Sequence, residues 1–173
     1  NLSDTTNWKF YTTAIDGSLD ILNLNTTDTK SDSAGTLPTN SVFSIGTNAN
    51  QGANGNGYVV YCFAEKTGYS KFGSYVGNDN NDGSFIYTGF KPAFVMIKKT
   101  NETNDWFIQD NKRLGYNPSN SYLEANTNLA EQTETDIDIL SNGFKCRSNG
   151  GGHNNSGGTY IYMCFAEAPL VGT

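Results

Sequence analysis

Apolar residues in this 173-residue chain come in short runs, some alternating with polar residues and some apolar throughout. Clusters of Asn, Gly, Ser and Asp separate the runs. Alternation at a period of two marks half-buried strands, and short continuous apolar runs mark strands buried on both faces. On that basis the later part of the chain predicts strands near 73–77, 84–90, 93–99, 106–110, 121–125, 136–140, 143–147 and 159–167. PAFVMIK, residues 92–98, is apolar on both faces, which places it centrally, between a core and another layer. In the last strand Tyr160, Tyr162, Cys164 and Ala166 point one way, and Ile161, Met163, Phe165 and Glu167 the other. Asn80-Asn81-Asp82-Gly83 reads as a hairpin loop and Ser141-Asn142-Gly143 as a tight turn. Helical periodicity is nearly absent; only residues 128–135 suit a turn or two. Short strands with frequent turns imply an all-β fold, an antiparallel β-sandwich or jelly roll.

The pattern occurs twice. YVVYCFAE at residues 58–65 returns as YIYMCFAE at 160–167. Trp8 and Trp106, the two tryptophans, open the copies. Leu22 and Asn25-Thr26 recur as Leu123 and Asn126-Thr127, and Phe43 recurs as Phe144. A repeat of about this length is a duplicated domain-sized unit rather than a solenoid turn. The second copy carries residues 73–78, 84–90 and 92–100 ahead of its tryptophan, and the first copy has no counterpart to them. Residues 1–66 therefore read as the C-terminal part of a first repeat unit, and 67–173 as a complete second unit. The chain itself reads as a piece of a longer protein. The duplication predicts that the two CFAE segments are equivalent strands with Phe63 and Phe165 buried. It also predicts that the chain is stable beside more of its own protein or in a homo-oligomer, because a partial unit leaves sheet edges open.

Composition narrows the partners. Charged residues make up 16% and the net charge is −6. Nucleic-acid binding normally requires a basic stripe, and the Lys/Arg neighbours are limited to Lys98-Lys99 and Lys112-Arg113, so no nucleic-acid partner is expected. No run of residues is long and apolar enough for insertion into a membrane. Cys62 and Cys164 occupy equivalent repeat positions and suit small buried hydrophobes. Cys146 stands alone, and a bridge from it to Cys164 is the alternative if their strands are neighbours.

The ordered set GSYVGN, DGSFIYTGFKPAFVMIKK, the tryptophan, YLEAN, ILSNGF and NNSGGTYIYMCFAE runs from Gly73 to Glu167, and the likeness it carries covers essentially the whole chain. It resembles a repeat domain of tailed-phage virion structural proteins, especially marine ones. The resemblance implies a concanavalin-like (lectin-like) sandwich, tandem occurrence, and a place in a tail, fibre or capsid surface. Localisation on the virion, outside the cell, and partnership with other virion proteins follow from it. It implies no catalytic residues.

Candidate chemistry is sparse. The single histidine, His153, lies in GGGHNNSGG, a glycine-rich loop expected to be too flexible to hold a base. Glu65 and Glu167 end the two CFAE segments and would suit a glycosidase pair only if held across a cleft. As repeat equivalents they fit a local role better, such as bonding backbone at a strand end. Asn78, Asn80 and Asp82 mimic the start of a calcium loop, but Gly89 stands where the bidentate Glu belongs. Calcium is the cofactor that spacing would take; an ordinary loop is the competing reading. Trp8 and Trp106 offer flat faces to sugar rings, yet their repeated placement equally suits core anchors. The loops at 47–57 and 148–158, including Asn154 and Asn155, are candidate glycan contacts, because loops on a rigid sandwich can vary without cost to the core. Two functional classes result. One is a non-enzymatic virion structural module that contacts host surface glycan. The other is a carbohydrate-binding module of a secreted or phage-borne glycan-degrading protein.

Overall fold

The computed structural model describes residues 1–47, 50–113, 117 and 120–169. Residues 48 and 49 of the first candidate loop, and 114–116, 118–119 and 170–173 of the expected second unit, lie outside them. Among the described residues there is no helix, and twelve strands form antiparallel sheets. In chain order they are β1 (Lys9–Thr12), β2 (Asp20–Asn23), β3 (Ser31–Asp32), β4 (Ser70–Val76), β5 (Phe85–Tyr87) and β6 (Pro92–Lys99). The rest are β7 (Trp106–Asp110), β8 (Asn120–Glu124), β9 (Gln132–Glu134), β10 (Ile137–Leu140), β11 (Gly143–Cys146) and β12 (Thr159–Ala166).

A six-stranded sheet in the order β4-β12-β6-β7-β8-β9 forms the middle of the fold. One face packs on the three-stranded sheet β10-β11-β5. Val95 and Ile97 from β6 and Tyr160, Tyr162 and Cys164 from β12 meet Ile86, Ile137, Ile139, Phe144 and Cys146 there. The opposite face of the six-stranded sheet meets the sheet β1-β2-β3, where Leu22, Trp106 and Ile161 are buried with Phe10, Leu24 and Met96 around them. This two-sided covering is what the apolar run of β6 requires. Alternate residues, Val95 and Ile97 against Met96, enter different cores. The same alternation in β12 sends Tyr160, Tyr162 and Cys164 to one core and Ile161 to the other.

Some elements depart from the sequence reading. Residues 128–135 do not coil; they lead into β9, a short exposed strand at the edge of the large sheet. Asn80-Asn81-Asp82-Gly83 does not close a hairpin, because β4 and β5 belong to different sheets and the loop carries the chain across the sandwich. The turn at Ser141-Asn142 does close one, pairing Leu140 with Gly143. Gly143 is required there: a Cβ would fall 2.0 Å from the carbonyl oxygen of Ile86 on the next strand. Cys146 and Cys164 both lie in the core as free thiols.

The first part of the chain differs most. No residue from 58 to 65 lies in a strand. Phe63, expected to be buried, is 58% exposed, and Cys62 is exposed as well. Phe165 is half-buried and touches Phe63 at a ring-centroid distance of 5.9 Å. A strand needs neighbours to take up its backbone groups, and residues 58–65 have none of the two that enclose β12.

The two tryptophan hairpins share one construction. The Trp8 amide donates to Asn25 Oδ1 at 2.9 Å, and the Trp106 amide to Asn126 Oδ1 at 2.8 Å. Asn25 donates to Asn7 Oδ1, and Asn126 to Asp105 Oδ1. Trp8 O accepts from Leu24 N–H and Trp106 O from Ala125 N–H, each at 2.8 Å. The side chains fare differently. Trp106 is buried, with Nε1 donating to Asn23 O at 2.9 Å and Phe10 against its ring at 5.0 Å. Trp8 is 59% exposed.

Candidate functional site

Six strands facing three leave part of the large sheet uncovered on the β5-β10-β11 side. Among the described residues, none of β7, β8 or β9 joins the core on that face. Alternation along β7 directs Phe107 and Gln109 there, opposite in sense to the buried Trp106. Tyr122 on β8 meets the Phe107 ring edge-on at 5.4 Å. The segment 148–158 folds back over this surface, and together they form an open depression of about 370 Å³. Phe107 and Tyr122 line its apolar side, and Glu134, Asp136, Ser148 and Asn149 its polar side.

The wall, expected to be a flexible loop, is tied to the segment 78–80 by hydrogen bonds. Asn154 is fully buried and acts as the fastening. Its Nδ2 donates to Asn78 Oδ1 (2.9 Å), Asn80 O (2.8 Å) and Ser148 O (3.1 Å), while its Oδ1 accepts from Asn78 N–H. Its backbone carbonyl accepts from Asp79 N–H, and Asp79 adopts φ 57° to make that approach. The Tyr160 hydroxyl lies 2.9 Å from Gly151 O and 2.7 Å from Asn155 Oδ1. Gly152 sits where a Cβ would strike the Phe107 ring at 2.8 Å, so the glycine run permits close packing here.

His153 is consequently buried. Its Nδ1 is 3.5 Å from Asp136 Oδ1, and its Nε2 is 3.1 Å from Gln109 Nε2. The arrangement fits a neutral ring that carries its proton on Nδ1 and accepts from the Gln109 amide at Nε2. Burial holds its pKa below the ordinary histidine value, opposed by the Asp136 carboxylate. Phe107 covers one face of the ring at 4.6 Å, and Ser148 Oγ donates to Asp136 Oδ1. Both ring nitrogens are thus engaged inside the protein.

The residues singled out from sequence fall in several places. Trp106 and Asn154 are buried and offer nothing to a ligand. Asn155 is half-buried beside Tyr160, and Trp8 is exposed on the far layer. The oxygens of Asn78 and Asn80 are taken up locally: Asn78 Oδ1 accepts from Asn80 N–H and Asn154, and Asn80 Oδ1 from Asp82 N–H. Asp82 pairs with Lys145 and Arg147, and the Lys145 hydrogen bond holds its pKa below the usual carboxylate range. In this arrangement the Asn78, Asn80 and Asp82 side chains bond within the loop, to Asn154 and to β11 and its flank. Among the described residues no group of three or more His, Cys, Asp or Glu is placed to hold a metal ion. Glu65 pairs with Lys71, and Glu167 with Lys91 and Lys112, so the two carboxylates are committed separately. Lys98 and Lys99 are buried, and loss of water lowers the Lys98 pKa to about 8.

Phe107, Tyr122, Glu134 and Asp136 were not visible as a site in the sequence. The available signal was the alternation of β7, which sets Phe107 and Gln109 opposite Trp106.

No curated protein and no solved structure matches the chain. A family model described as a domain of unknown function (DUF7483) matches residues 1–169, and the chain belongs to that family.

Proposed function

We propose that the chain is a non-enzymatic structural module of a phage virion surface, in a tail, fibre or capsid, that contacts host glycan through the depression over β7–β9. The observation that carries the contact is the gathering of the Tyr122 and Phe107 rings, the Glu134 and Asp136 carboxylates and the Asn149 amide around one depression. Sugar sites combine an apolar face with a few fixed polar groups, and this surface has both. The wall's fastening through Asn154 supports preorganised binding. Engagement of both His153 nitrogens within the protein supports a role without base catalysis. The virion setting rests on the resemblance of the ordered motifs.

The test is binding of the whole chain to an array of bacterial surface glycans, followed by incubation with each ligand found. Saturable binding that Tyr122→Ala abolishes, with no new reducing ends, is the expected result. Release of oligosaccharide that stops on Glu65→Gln or Glu167→Gln would replace this reading with an enzymatic one. Labelling of intact particles with antibody against the chain, viewed by electron microscopy, tests the virion setting.

A further inference from the structure

Residues 58–65 carry the side-chain code of an interior strand, yet none of them lies in one. Tyr58, Val60, Cys62 and Ala64 match Tyr160, Tyr162, Cys164 and Ala166, the positions of β12 that face the main core. Val59, Tyr61, Phe63 and Glu65 match Ile161, Met163, Phe165 and Glu167 on the other side. Both faces are apolar, which suits a strand covered on two sides and enclosed by two neighbours. In this chain Val59, Val60, Tyr61 and Phe63 are instead 48–71% exposed.

The nearest edge, that of β4, does not take the segment up. Lys66 and Ser70 form an antiparallel bridge, and continuing that register would bring Ala64 opposite Phe72. Both groups of that next rung are diverted to side chains. Ser70 Oγ donates to Ala64 O at 2.8 Å, and Phe72 N–H donates to Glu65 Oε1 at 3.1 Å. The hairpin stops after one bridge, and the segment peels away. An edge position would also leave one long side of an apolar strand open.

The second half of the chain displays the environment that such a strand occupies. β12 lies between β4 and β6, paired with both over nearly its whole length. The shared construction of the Trp8 and Trp106 hairpins shows that the first copy builds its own equivalent of the β7–β8 region. Equivalents of β4 and β6 are what residues 58–65 lack among their neighbours.

We propose that residues 58–65 are the interior strand of a further unit of this same kind, seated between a second copy of the β4 and β6 sequences. The partner is thus a pair of antiparallel strands with the side chains of residues 67–104, and the contact is backbone pairing on both edges with apolar cover on both faces.

The test supplies that partner directly. Residues 67–104 are placed ahead of Asn7 in place of residues 1–6, which reproduces the order seen before Trp106. Hydrogen exchange of amides 59–64 is then compared with that in the parent chain. Incorporation into a sheet is expected to slow these amides by roughly 100-fold or more. Val60→Lys should abolish the protection in the extended chain and leave the parent's stability unchanged, since Val60 is exposed there. Exchange at 59–64 that stays within about threefold of the parent, while β12 remains protected, would overturn the proposal. If the extended chain aggregates, the parent is mixed with an excess of a separate 67–104 polypeptide. Protection of 59–64 must then appear, and its absence in that mixture would also overturn the proposal.

Discussion

Lys30 sets its ammonium 2.7 Å from Oδ1 of Asp20, a carboxylate with no exposure to solvent. Asp16 and Asp32 approach the same ammonium at 3.0 and 2.9 Å, and these hydrogen bonds raise the Lys30 pKa above its ordinary value. The cluster fixes β2 and β3 at the outer end of the layer that covers Trp106. Asp20 was buried because Lys30 accompanies it. Removing the lysine strands a buried charge, which typically costs about 3–5 kcal/mol. Lys30→Met should lower stability by that order in urea unfolding, and Lys30→Met with Asp20→Leu should recover much of it. Equal loss in the single and double variants would show that the pair is not the cause.

The two tryptophans should separate cleanly. Trp106 is enclosed and hydrogen-bonded, so Trp106→Ala is expected to cost about 3–5 kcal/mol. Trp8 is mostly in solvent, so Trp8→Ala should stay within about 0.5 kcal/mol. Fluorescence of Trp8→Phe should be blue-shifted, reporting Trp106 alone, and that of Trp106→Phe red-shifted.

Acid stability should carry a histidine component. The folded state holds the His153 pKa below its ordinary 6.5. As pH falls, the unfolded chain therefore binds this proton first, and unfolding is favoured. The contribution is complete above the ordinary histidine range and is lost as pH falls through it. Unfolding free energies measured between pH 7.5 and 5 should decline in the parent and decline less in His153→Gln. A further decline below about pH 4 belongs to Asp16, Asp28, Asp82, Asp110 and Glu167, whose pKa values are all lowered in the folded state.

Thiol chemistry gives a direct reading of the difference between residues 58–65 and β12. Burial pushes the Cys146 thiol up to about 12 and the Cys164 thiol upward as well, and both lie in the core. Cys62 is exposed. Titration with a chromogenic disulfide should modify Cys62 alone in the native chain, and all three thiols in denaturant. Fast native labelling of Cys164 would mean that β12 is not seated as described.

The strands were legible where their neighbours lie in the same chain. β6, β7, β11 and β12 follow their apolar patterns within a residue or two because each finds a partner on at least one edge and a core beneath. β9 was not legible: Gln132, Thr133 and Glu134 are exposed and polar, and only the register with β8 makes them a strand. Residues 58–65 show the opposite failure. Their pattern is as strong as that of β12, but a pattern states a preference for burial and does not supply the surface to be buried against. His153 was misread because glycine was taken as a sign of freedom. Here the glycines let the loop pack closely against Phe107 and let Asn154 bond to the segment 78–80. The depression was hidden because its floor and wall derive from β7–β8 and 148–158, far apart in sequence and joined by the mismatch in sheet widths.

The position of β12 also bears on how the chain comes off the ribosome. It is the latest of the described strands in sequence, yet it sits inside the large sheet and joins β4 to β6. Until it emerges, β4 and β6 wait with their facing edges open, so the sheet is closed by a contact between distant parts of the chain, the slow kind. A near copy of β12, residues 58–65, has by then already been made, tethered four residues ahead of β4. The diverted rung at Ser70 and Glu65 stops that early copy on the outer edge of β4, while the edge facing β6 is the one that β12 fills.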